Sequence, residues 1–113
     1  MSQTEFRLLK NNPIKIDPEA LAAAIMYHRG INPDHITSVS MAGHLRYSRE
    51  LLFYMLYAYS SWTVEEMVRR YRVNNVAIAA YIKGGACRIA KKDNYFITFR
   101  NHILSQFKTN DND

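Results

Sequence analysis

Wherever the apolar residues of this chain show a period, it is helical: i, i+3, i+4. No stretch alternates apolar and polar positions as a half-buried strand would. The clearest unit runs from Thr63 to Lys83. Val64, Met67, Val68 and Tyr71 define one face of a first helix, and Arg72-Val73-Asn74-Asn75 interrupts it. Ile78, Tyr81 and Ile82 then restart the period. Thr63 suits the N-cap, where its hydroxyl accepts from the backbone N–H of Glu65 or Glu66. Those two acids sit in the first turn, which the helix dipole favours for negative charge. Arg69, Arg70 and Arg72 project mainly from the opposite side. Gly84-Gly85 is expected to end the second helix, since glycine accepts a left-handed C′ conformation. Two short helices around a turn of a few residues form a helix-turn-helix pattern.

On either side of this unit the pattern predicts more helix. Residues 1–16 show no sustained period. Phe6, Leu8 and Leu9 are available to dock on a core, and Asn11-Asn12-Pro13 breaks any element, so a partly anchored arm is expected. Asp17-Pro18-Glu19 opens a helix with a capping acid, proline at N1 and an acid in the first turn. That helix carries Leu21, Ala24, Ile25 and His28 and ends near Gly30. Asn32-Pro33-Asp34 repeats the signal for a short helix around His35 and Ile36. Ser38 to Ser48 reads as a loop. From about Arg49 to Ser60 a helix follows whose residues Leu51 to Tyr59 are all apolar or aromatic. A helix apolar all round must be surrounded by neighbours, so it should be the hub of the bundle; the surplus aromatic surface also suits a dimer face. After the basic segment ACRIAKK, a last helix carries Phe96, Phe99, Ile103 and Phe107 at core spacing. The prediction is an all-α fold of five or six helices. Its domain spans 17–107, with the helix-turn-helix at 63–83 and a polar tail at 108–113.

Composition narrows the chemistry. The 113 residues carry a formal net charge of +5. Between Thr63 and Lys92, seven cations (Arg69, Arg70, Arg72, Lys83, Arg88, Lys91, Lys92) face two acids, so this segment accounts for an excess of +5 by itself. Concentrated positive charge is what phosphate neutralisation requires, although a basic surface also serves solubility. The lone Cys87 has no disulfide partner in the chain, and no Cys/His cluster has zinc spacing, so neither a metal nor another cofactor is expected. MSQTEFRLLK is too polar for a signal peptide, and no apolar run approaches the length of a membrane helix. Together with the free thiol, this leads to the expectation of a cytoplasmic protein that no membrane partners. His28, His35, His44 and His102 lack a partner at catalytic spacing, and Glu65 and Glu66 diverge on a helix, so the expectation is not an enzyme.

Arg46-Tyr47-Ser48-Arg49-Glu50 precedes the apolar helix LLFYMLYAYS, and Thr63-Val64-Glu65-Glu66-Met67 opens the helix-turn-helix. In this order and spacing the chain resembles the C-terminal DNA-binding domain (domain IV) of the bacterial chromosomal replication initiator DnaA, over roughly residues 20–83. It looks similar also to the Trp repressor over the helix-turn-helix. The resemblance implies binding of double-stranded DNA by a small replication- or transcription-related regulator of bacterial type, nucleoid-associated if it binds. It places Arg49 at a base-contacting arginine and Lys83 at a basic position. Where that family carries Asp-His-Thr-Thr, this chain has Asn74-Asn75-Val76-Ala77, and Glu50 replaces a glutamine near the duplex. The initiator's ATPase domain has no counterpart here.

At the second helix's N-terminus, Asn74 and Asn75 are able to pair with adenine, or one of them caps the helix; if Asn74 caps, Asn75 and Val76 face the groove. Arg46, Arg49, Arg69, Arg70, Arg72, Lys83 and Lys91 are the candidate phosphate contacts. Tyr47 either meets a phosphate or packs under the loop. With Ala79 and Ala80 contributing no hydrogen bonds, sequence-modest DNA binding is expected. The alternative is a protein–protein interaction module, or a homodimer, that uses Val76 to Ala80 as a packing surface without DNA.

Overall fold

The computed structural model describes residues 3–37 and 43–107. Among them the chain is all-helical: α1 (Gln3–Lys10), α2 (Pro18–Arg29), α3 (Pro33–Ile36), α4 (Gly43–Tyr59), α5 (Val64–Tyr71), α6 (Asn75–Ala90) and α7 (Asn94–Gln106). The nearest approach to sheet among these residues is one isolated bridge between Ile16 and Ser60. No helix is long and apolar enough to cross a membrane among the described residues.

α4 is the hub that its composition requires. Every side chain from Ser48 to Leu56 is buried, and α1, α2, α3, α6 and α7 all pack on it. Leu21 and Ile25 from α2, Met67 from α5, Ile78 and Ile82 from α6, and Phe96 and Ile103 from α7 fill the remaining core. A helix without a hydrophilic face is stable only inside such a shell.

The expected boundaries of two helices are corrected. α4 starts at Gly43, so residues 43–48, expected in a loop, form its first turns. The rest of that expected loop, residues 38–42, and the expected tail at 108–113 lie outside the described residues. The reason for the longer helix is tertiary: Ser48 and Leu45 are buried one and two turns before Leu52, extending the core-facing stripe backwards. α6, expected to stop at Gly84-Gly85, continues to Ala90. Here the glycines allow close packing and do not end the helix. A Cβ on Gly85 would lie 2.6 Å from Tyr54 Cβ, and one on Gly84 2.8 Å from Glu50 Cδ, so α6 crosses α4 at a distance only glycine permits.

The other termini follow local chemistry. Asp17 Oδ2 accepts from Ala20 N–H at 2.9 Å, and Gly30 (φ 65°) closes α2 while Ile31 N–H reaches back to Met26 O. Residues 3–10, expected without an element, are helical and docked. Phe6 meets Tyr57 edge-on at 5.6 Å and Leu9 packs on the core, whereas Leu8 is exposed. The Lys10 ammonium donates to the carbonyls of Tyr57, Ser60 and Trp62, closing the C-terminal end of α4. Burial, then the neighbouring Lys15, pulls its pKa down to about 8.

Candidate nucleic-acid interface

α5 and α6 meet at a tight, well-capped turn. Thr63 and Glu66 form a reciprocal capping box at the start of α5, with Thr63 N–H donating to Glu66 Oε1 and Glu66 N–H to Thr63 Oγ1. α5 ends on Arg72, a left-handed residue (φ 56°) whose N–H donates to Val68 O at 2.8 Å. Val73 is half-buried, and Asn74 Oδ1 accepts from Ala77 N–H at 2.8 Å to open α6. Of the two roles open to Asn74, the structure selects the cap. Met67 and Tyr71 from α5 and Ile78 and Ile82 from α6 enter the core, so the pair is held rigidly. Tyr71 lies edge-on to Phe53 and Trp62. Its hydroxyl is buried without a hydrogen-bond partner, and burial pushes its pKa up to about 12.

What α6 shows to solvent is narrow and weakly polar. Asn75, Val76, Ala80 and Lys83 are exposed along one side, Val76 at 74%. Arg69 and Arg72 are exposed beside this strip, and Glu65, Val68, Arg69, Asn74 and Asn75 line a shallow groove between the two helices. Among the described residues Arg69, Arg72 and Lys83 have no anionic partner.

Other candidates from the sequence are engaged elsewhere. Arg49, expected at the bases, is 4% exposed: its Nε donates to Ile36 O at 2.9 Å and its guanidinium lies 5.9 Å from the Tyr81 ring centre. Facing inward from the hub, it ties the end of α3 to α4 and α6, and it is corrected from a base contact to a structural arginine. Arg70 holds Glu19 bidentately at 2.7 and 3.2 Å, so its charge is matched by a carboxylate of α2. Arg46 is exposed, 3.8 Å from Glu50. Tyr47 packs and does not reach outward. Its hydroxyl donates to Asp93, the Arg88 guanidinium covers its ring at 4.3 Å, and burial followed by Asp93 raises its pKa to about 12.

Glu50, expected beside a duplex, is instead buried against Gly84 and paired to Arg88 at 2.6 Å. Arg88 also reaches Asp93 at 3.3 Å, and Asp93 caps α7 through Phe96 N–H. The sequence pattern does not reveal this Glu50–Arg88–Asp93 chain, beside which Arg29 also lies over the Tyr47 ring, 5.3 Å from its centre. The available signal was Glu50 itself, since a carboxylate inside an apolar helix demands a cation. The consequence is electrostatic. Of the seven cations between Thr63 and Lys92, Arg70 and Arg88 are neutralised internally, which concentrates the open positive charge on Arg69, Arg72, Lys83, Lys91 and Lys92.

No protein-family model matches the chain, and neither characterised proteins nor solved structures give a match.

Proposed function

We propose that this chain binds double-stranded DNA, without catalysis, by using α5 and α6 as a helix-turn-helix with α6 in the major groove. The observation that carries this reading is the exposed N-terminal end of α6, with the unmatched cations Arg69 and Arg72 beside it and Lys83 about two turns further along the same exposed side. A recognition helix meets bases with its N-terminal residues, which here are Asn75 and Val76. Asn75 offers a carboxamide for an adenine edge and Val76 an apolar contact for a thymine methyl. The cations are placed for phosphates, which position a protein on the duplex without naming a sequence. So few polar readers support modest specificity. The resemblance to the initiator's DNA-binding domain supports a replication- or transcription-related regulator, with Arg49 removed from its readers.

A protein partner on α6 is the second reading, favoured by one observation: Val76 and Ala80, one turn apart, form an uncharged exposed strip. Titrating a labelled duplex by fluorescence anisotropy at two salt concentrations separates the readings. DNA binding predicts affinity at low salt that falls steeply as salt rises, and no affinity at low salt refutes it. Selection of duplexes from a random pool then measures the specificity.

A further inference from the structure

Away from the α5–α6 tip, two exposed histidines on different helices converge. His28 lies in the last turn of α2 and His102 in the C-terminal half of α7, one turn before Gln106. The Gln106 side-chain nitrogen lies 2.8 Å from His28 Nε2 and 3.2 Å from His102 Nε2. The rings stand perpendicular, at 89°, with centres 5.0 Å apart. Both Nε2 atoms thus lie within hydrogen-bond distance of the same carboxamide atom, and either can act as an acceptor in its Nδ1–H tautomer. Turning the carboxamide over would bring its oxygen to the same point.

That is the geometry of a bidentate imidazole pair. Two imidazoles that share a tetrahedral ion at about 2.0–2.1 Å bring their ring centres to roughly 5 Å apart. We propose that His28 Nε2, His102 Nε2 and the Gln106 side-chain oxygen form a binding site for a borderline divalent transition-metal ion such as Zn²⁺ or Ni²⁺. Water completes the coordination. Neutral imidazole selects this class over Mg²⁺ and Ca²⁺, which take oxygen donors. Among the described residues no three His, Cys, Asp or Glu side chains come together, so the third protein ligand is the carboxamide. Tyr27 lies edge-on to His28, with ring centres 5.1 Å apart. A bound ion would fasten the C-terminal half of α7 to the end of α2. This site does not depend on the DNA reading.

The test is isothermal titration of Zn²⁺, and separately Ni²⁺, into the full chain carrying Cys87→Ser, which removes the exposed thiol as a competing ligand. The expected result is one saturable site, with affinity at least about tenfold weaker in His28→Ala and in His102→Ala, and unchanged in His35→Ala. Both imidazoles are exposed, so these variants retain the fold, which circular dichroism verifies. Thermal melts should show Zn²⁺ raising Tm in the parent and not in His28→Ala, with Mg²⁺ inert in both. The absence of saturable binding, or unchanged affinity in His28→Ala, would overturn the proposal.

Discussion

If Arg69, Arg72 and Lys83 are the phosphate contacts, DNA affinity must carry their signature in its salt dependence. Each neutralised phosphate contributes about −0.9 to the slope of log K against log salt on duplex DNA, so three contacts give a slope of about −2.7. Raising salt fourfold, from about 50 to 200 mM, then weakens binding by roughly 40-fold. Replacing any one of the three by Gln should flatten the slope by about 0.9, and replacing all three should leave binding nearly independent of salt. Arg49→Met is the informative control. Arg49 is buried on Ile36 O, so its loss should cost about 1.5–3 kcal/mol of stability, the range for a hydrogen bond from a charged donor, without changing the slope. Anisotropy of a labelled duplex across four salt concentrations, with stability followed by urea titration, reads both quantities. A wild-type slope retained in the triple Gln variant would refute the placement of the interface on the α5–α6 tip. A slope flattened by Arg49→Met in folded protein would return Arg49 to the DNA.

Three other perturbations probe the scaffold. Gly85→Ala gains about 1 kcal/mol of helix propensity but drives a Cβ to 2.6 Å from Tyr54 Cβ. Overpacking of this kind costs about 1–3 kcal/mol, so a lower Tm is expected, whereas Gly43→Ala, with open space at its Cβ, should not lower it. Tyr71→Phe removes a buried hydroxyl that has no partner and should be neutral or stabilising by up to about 1 kcal/mol in urea unfolding; a clear loss would mean that the hydroxyl is satisfied. Asp93 is held below the usual carboxylate range, first by the N–H of Phe96 that it caps and also by Arg88 and Tyr47. A carboxyl depressed in the folded state contributes stability that is fully present above its unfolded pKa of about 3.9 and is lost as pH falls through the folded value. Thermal melts should therefore show wild type losing more stability than Asp93→Asn on acidification below about pH 4, and parallel profiles would contradict this.

Much of the architecture was legible in short stretches of sequence. The all-helical fold, the cap at Thr63, the Asp17-Pro18 start of α2, its end at Gly30 and the central position of α4 all depend on contacts within a few residues, or on a composition that leaves no solvent face. The core stripe of α7 was legible for the same reason. The candidate site was legible only as a place. Asn75 and Val76 lie at the exposed start of α6 with Arg69 and Arg72 beside them and Lys83 further along it, whereas Arg49, Arg70 and Tyr47 are held by groups far away in sequence.

The sequence by itself determined where α2, α3, α5 and α7 lie and the caps at Asp17, Gly30 and Thr63, because hydrophobic period and capping are local properties; α1, the early start of α4 and the far end of α6 depend on packing. It also determined the excess of positive charge around α5 and α6. Only the tertiary structure decided which charges remain open, because an ion pair depends on the meeting of distant residues. Glu19 takes Arg70 and Glu50 takes Arg88, while the Ile36 carbonyl holds the Arg49 guanidinium by a hydrogen bond. The same holds for Gly84 and Gly85. Read alone they end a helix, but packed against Glu50 and Tyr54 they let α6 run on across α4, since a missing Cβ gives backbone freedom in a loop and close approach in a core.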